Sequence, residues 1–131
     1  FPFRLRQDPG SRNALGRVKF MLPNPYNIYL HDTPSRHLFA RAERTYSSGC
    51  IRVARPVELA TFLLSDKTRW TREAVEAAYN GSRQQSVQLS EELPVVIQYW
   101  TAWPDENGAV QFRKDIYGRD AALINALFPK G

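Results

Sequence analysis

The run Tyr46-Ser47-Ser48-Gly49-Cys50-Ile51-Arg52-Val53 decides how this chain is read. It holds the only cysteine, and His31 lies 50 − 31 = 19 positions upstream, within Tyr29-Leu30-His31-Asp32-Thr33-Pro34. A free thiol has a pKa of about 8.5, so little of it is thiolate at neutral pH, and a neighbouring imidazole is what turns it into a nucleophile. Cys50 and His31 therefore read as nucleophile and base. An isolated cysteine also has a blander reading, as a small buried hydrophobe. The sequence argues against that: Ser47, Ser48 and Gly49 are small, leave backbone N–H groups free to turn toward a developing oxyanion, and suit a tight turn. Ile51 and Val53 anchor that turn in a core.

Outward from this motif, Tyr26-Asn27-Ile28-Tyr29-Leu30 alternates with aromatic and β-branched residues, which predicts a strand ending at His31. Before it, a loop-rich opening through Pro9-Gly10, Asn13, Gly16 and Pro23-Asn24-Pro25 surrounds a short strand from Arg17 to Met21. After it, Asp32-Thr33-Pro34-Ser35 is a turn, since Pro34 biases Thr33 away from helical geometry. Residues 35 to 47 read as a polar connection; His37, the rival base, is expected to be exposed there. Pro56 suits the first turn of a helix over about 56–65, with Leu59, Phe62 and Leu63 as its buried stripe. A second helix runs from an N-cap at Thr71 to Tyr79, stopped by Asn80-Gly81. Ser86–Leu89 and Pro94–Trp103 then read as strands. Trp100 and Trp103, three apart on the second, are expected on opposite faces. Asp105-Glu106-Asn107-Gly108 reverses the chain into Ala109–Phe112 as a hairpin, and Asp120 caps a last helix through Leu127. The expected class is mainly β with helices packed on it, α+β.

The length of 131 residues suits one domain with one core, and 43% hydrophobic against 24% charged residues excludes a disordered chain. No apolar run approaches the ~20 residues of a membrane-spanning helix, and no secretion signal opens the chain. The net charge of +5 points to an anionic partner. The arginines are scattered from Arg4 to Arg119 without a helix-turn-helix, zinc-ligand or aromatic RNA-binding pattern, which argues against nucleic acid. Two histidines and one cysteine do not make a metal site. No cofactor is expected.

The motif resembles that of the L,D-transpeptidases of bacterial peptidoglycan: a His, a gap of somewhat under twenty residues, then Ser/Thr-His-Gly-Cys, an apolar residue and Asn or Arg. Ser48 stands where many members carry a second His, a mild departure, because the upstream His is the family's base. Asn13–Phe20, Leu22-Pro23-Asn24 and Asp115-Ile116-Tyr117-Gly118 are similar to the large periplasmic subgroup. The resemblance implies a mixed β-sandwich whose N-terminal strands precede this chain, so that residues 1–131 are the later part of a catalytic domain in a longer protein.

It also implies a chemistry. Cys50 attacks the carbonyl between the meso-diaminopimelate and terminal D-alanine of a donor stem tetrapeptide, with His31 as base, Asp32 holding its ring, and Gly49, Cys50 and Ser48 around the oxyanion. An acceptor stem's amine resolves the thioester into a 3→3 cross-link. Arg52, Arg44, Ser47 and Tyr29 are the expected substrate-binding residues; Arg52, two positions after the nucleophile, suits a carboxylate. A carbapenem adduct on Cys50 and a place in the periplasm or cell envelope are expected. Water as acceptor would make an L,D-carboxypeptidase, a protein amine a lipoprotein-anchoring enzyme, and a decayed site a wall-binding module.

Overall fold

Tyr29–His31 is the middle strand, β2, of a three-stranded sheet in the computed structural model, which describes residues 2–3, 7–8, 10–65 and 68–129. Its neighbours are β1, Lys19–Met21, and β3, Ile51–Arg52. β1 runs antiparallel to β2, with Lys19 opposite His31, Phe20 opposite Leu30 and Met21 opposite Tyr29. β3 runs parallel to β2, with Leu30 opposite Ile51 and His31 opposite Arg52. The backbone bonds Asp32 N–H to Val18 O (2.9 Å) and Val53 N–H to His31 O (2.8 Å) carry both ladders to the end of β2. β3 corrects the sequence reading, which saw only a turn and its anchors here. Parallel neighbours need a long crossover, and residues 32–50 supply it. That crossover contains a 3-10 helix over Arg36–Ala40, where only a polar connection was expected.

Two helices follow. α1, Pro56–Leu63, carries its proline in the first turn, where the missing N–H is no loss. α2, Arg72–Asn80, is capped by the Thr71 hydroxyl, which accepts from Ala74 N–H at 3.3 Å. They pack on each other, and the best-buried apolar residues described are Pro56, Leu64 and Val75. Phe62, expected in the buried stripe of α1, is exposed, and Leu64 just past the helix end takes the core position instead. Pro9 of the opening turns lies outside the described residues.

The chain divides into two units, Phe1–Glu92 and Leu93–Gly131. In the second, β4 (Ala102–Pro104) and β5 (Val110–Phe112) form the expected hairpin, Ala102 opposite Phe112. Asp105 closes it: its carboxylate accepts the N–H groups of Asn107 (2.9 Å) and Ala109 (3.0 Å), and Gly108 adopts φ 79°, a left-handed conformation that glycine takes without strain. α3, Asp120–Leu127, corrects a cap: Arg119 occupies the N-cap, while Asp120 sits in the first turn, its N–H held by the Asp115 carboxylate at 2.8 Å. Ser86–Leu89 forms no strand, and Pro94–Trp103 is paired only from Thr101 onward, whose carbonyl accepts Arg113 N–H at 2.9 Å before β4 begins at Ala102. Alternating apolar residues report a face that wants cover, but a strand exists only where a neighbour completes its ladder. Among the described residues none does so for 86–89 or 94–100, and Val96 stays 79% exposed. Trp100 is exposed before β4, whereas Trp103 lies in it, half-buried beneath the Arg113 guanidinium at 4.3 Å. Strands in two sheets and three helices make the fold α+β, as expected.

Candidate active site

The pairing of β2 with β3 builds the site. Registered residues of neighbouring strands project to the same face, and successive residues alternate. His31 and Arg52 therefore share a face and Leu30 and Ile51 take the other; continued one step back, just outside β3, the same parity would set Cys50 beside Tyr29 on the His31 face. Two contacts agree with this parity. The Tyr29 and His31 rings meet edge to face at 5.9 Å, and a hydrogen bond to Cys50 is the first cause holding the Tyr29 phenol above its ordinary pKa, with burial second. On the β1 side Lys19, opposite His31, places its ammonium 3.6 Å from the centre of the Tyr29 ring. A cation on a phenol ring adds an attraction of about 0.5–1 kcal/mol at partly exposed positions and brings positive charge beside the thiol's neighbour.

His31 is buried, with 4% of its surface exposed, and so are Asp32 and Thr33. Its Nδ1 lies 2.5 Å from the Asp32 main-chain oxygen. A carbonyl can only accept, so Nδ1 carries the proton and Nε2 keeps its lone pair, the tautomer a general base requires. The sequence left open whether Asp32 acts by side chain or main chain. The main chain holds the ring, and the carboxylate turns elsewhere: Oδ2 accepts from Arg17 N–H (3.0 Å) and the Tyr79 hydroxyl (2.8 Å), and Oδ1 accepts from Arg36 Nη2 (2.8 Å).

Around the thiol, Cys50 Sγ donates to the Asn27 carbonyl at 3.7 Å. Asn27 is the one non-glycine residue described with positive φ, 54°, in a loop that Asn24 organises: its amide donates to Leu22 and Ile28 carbonyls and its oxygen accepts from Tyr26 and Ile28 N–H. Asn24, read from sequence as a turn former, thus shapes the carbonyl against the Cys50 thiol. Ser47, read as substrate-binding, donates its hydroxyl to the Cys50 carbonyl at 2.6 Å and closes the turn. Ser48 and Gly49 are exposed. Gly49 is not held there by backbone strain, because its φ lies outside the left-handed region and an added Cβ would meet only Ile28 Cγ1 at 3.7 Å. Arg52 Nε is buried without a hydrogen-bond partner among the described residues. Arg44 is exposed and donates Nε to the Arg41 carbonyl, and His37 is exposed on the 3-10 helix. Tyr79, Arg36 and Arg17 were missed as site residues; Tyr79 lies 79 − 32 = 47 positions from its partner, and no local pattern marks it.

The family model described as the L,D-transpeptidase catalytic domain (YkuD) matches residues 1–97. A Haemophilus influenzae protein named "Putative L,D-transpeptidase" is 42% identical over 123 residues, which cover 94% of this chain. The matched stretch spans 24% of that relative's length.

Proposed function

The chain belongs to the L,D-transpeptidase catalytic domain family, and from that premise we propose that it forms 3→3 cross-links between peptidoglycan stem peptides through a thioester on Cys50. The observation that carries the reading is the β2–β3 register, which sets His31 beside Arg52 and leads to Cys50 against Tyr29, with His31 Nδ1 held by the Asp32 carbonyl.

On this reading His31 Nε2 takes the thiol proton, and the sulfur attacks the carbonyl that joins meso-diaminopimelate to D-alanine in the donor stem. The tetrahedral oxyanion is met by backbone N–H groups of the Ser48-Gly49-Cys50 turn. His31 returns the proton to the departing D-alanine amine, leaving the acyl-thioester. The acceptor stem's side-chain amine then attacks the thioester carbonyl, His31 takes the amine proton, and the thiol is regenerated. Arg52 is the expected carboxylate partner of the donor, because a buried guanidinium N–H without an acceptor is costly until an anion reaches it. Such a substrate places the protein in the periplasm or cell envelope, and the +5 charge suits an anionic wall polymer.

Incubation with tetrapeptide muropeptides and mass analysis of the products tests the proposal. Cross-linked tripeptide–tetrapeptide dimer and free D-alanine are expected from the native chain and neither from Cys50→Ala. Trimmed tripeptide without dimer would reassign it as an L,D-carboxypeptidase, and unchanged tetrapeptide would favour a wall-binding role.

A further inference from the structure

The sheet holds the base only up to a point. The peptide joining His31 to Asp32 is bonded on both sides, its carbonyl to Val53 N–H and its N–H to Val18 O. The next carbonyl, that of Asp32, lies past both of these bonds, yet it is the one that fixes the imidazole tautomer. Thr33, buried and accepting from Ser35 N–H at 3.1 Å, holds the far side of the Asp32–Thr33 peptide, and the side chain of Asp32 itself holds the near side. That carboxylate is 3% exposed and receives donors from three directions: the Arg17 N–H just before β1, Arg36 from the 3-10 helix, and Tyr79 from the last turn of α2.

The three donors also hold one another. Arg36 Nη2 reaches the Tyr79 oxygen at 3.0 Å, and Arg36 Nη1 donates to the Ala54 carbonyl, two residues after β3, at 2.9 Å. Arg17 Nη1 reaches the Tyr79 carbonyl at 3.3 Å, with its guanidinium 5.7 Å from the Tyr79 ring centre. Burial, then the Asp32 hydrogen bond, raises the Tyr79 pKa against the opposing pull of Arg36, which keeps the phenol a donor. Space for the carboxylate depends on Gly16: at φ +65° it carries no Cβ, and an added one would overlap the Asp32 side chain.

We infer that Tyr79 and Arg36 are positioning residues of the acid–base apparatus, fixing the Asp32 carboxylate so that its carbonyl selects the Nδ1–H tautomer of His31. Neither touches substrate; they act through Asp32, so a helix end and a crossover hold the base in its working state. The inference rests on the proposed role of His31 as base.

Long-range imidazole 1H–15N spectra of the chain test it. The chain has two histidines, and exposed His37 serves as the internal reference. Wild type is expected to show His31 as a single Nδ1–H tautomer. Tyr79→Phe, which removes one hydroxyl and keeps the ring under Arg17, and Arg36→Gln are each expected to mix the tautomers while His37 stays unchanged. Cross-linking should lose about tenfold in kcat with KM held within about twofold, the mark of weakened acid–base chemistry rather than binding. Should either variant unfold, the other still reads the clamp. His31 signals identical to wild type in a folded variant overturn the inference whatever the turnover. Shifted tautomers in a chain whose wild type makes no dimer uphold the clamp and sink the cross-linking proposal instead.

Discussion

Two glycines near the site look alike in sequence and differ in kind. Gly49 precedes Cys50 and tolerates a Cβ sterically, whereas Gly16 combines φ +65° with direct overlap on the Asp32 carboxylate. A non-glycine residue in the left-handed region costs about 1–3 kcal/mol. Gly16→Ala is therefore expected to lower stability by at least that range in urea unfolding, while Gly49→Ala stays within about 0.5 kcal/mol. Equal effects would remove the distinction. Arg52 allows a kinetic prediction at the same scale. A charge-assisted hydrogen bond contributes about 1.5–3 kcal/mol, so Arg52→Gln should raise KM for the tetrapeptide donor about tenfold or more with a smaller change in kcat. Unchanged KM would return Arg52 to bracing the loop. Arg52 could be singled out from its place in the motif; Tyr79 could not, because which distant hydroxyl finds a buried carboxylate is decided by packing.

The elements that sequence described well are those stabilised within their own length. The α2 cap at Thr71 and the Asp105–Gly108 reversal close bonds over two to four residues, and both are present. Thr71→Ala should cost about 1 kcal/mol, read as a drop in thermal midpoint. The hairpin carries a pH dependence. The Asn107 N–H first, and then Gln111, hold the Asp105 carboxyl below its ordinary value. A carboxyl depressed by folding contributes stability that is complete above its unfolded pKa of about 3.9 and is lost as pH falls through the folded value. The amide shifts of Asn107 and Ala109 should titrate together with a midpoint below that of an ordinary aspartate, and Asp105→Asn should abolish the titration; a midpoint at or above about 3.9 would show that the turn does not hold the charge. The elements that sequence misdescribed, 86–89 and 94–100, have β-like composition and no partner strand described. Their pairing is a property of a sheet, not of a segment.

At the scale of the whole molecule, one thiol in 131 residues makes its reactivity directly readable. Incubation with a carbapenem, whose ring carbonyl offers the electrophile expected of the donor peptide, should add one drug mass to the intact chain, on Cys50, and none to Cys50→Ala. An unmodified native chain would argue against a poised thiolate. What the sequence by itself determined was the family to which the Cys50 motif belongs, the helix that starts at Pro56 and the one capped by Thr71, the hairpin and the α+β class. All of these rest on motifs or on bonds closed within a few residues. Only the tertiary structure decided that β3 pairs with β2 to set His31 beside Arg52 and bring Cys50 to Tyr29, that the Asp32 carbonyl meets His31 Nδ1, and that the carboxylate of the same residue turns to Arg36 and Tyr79. A residue with several possible hydrogen-bond partners takes those that burial brings to it from elsewhere in the chain, and that choice is made by the fold rather than by neighbours in sequence.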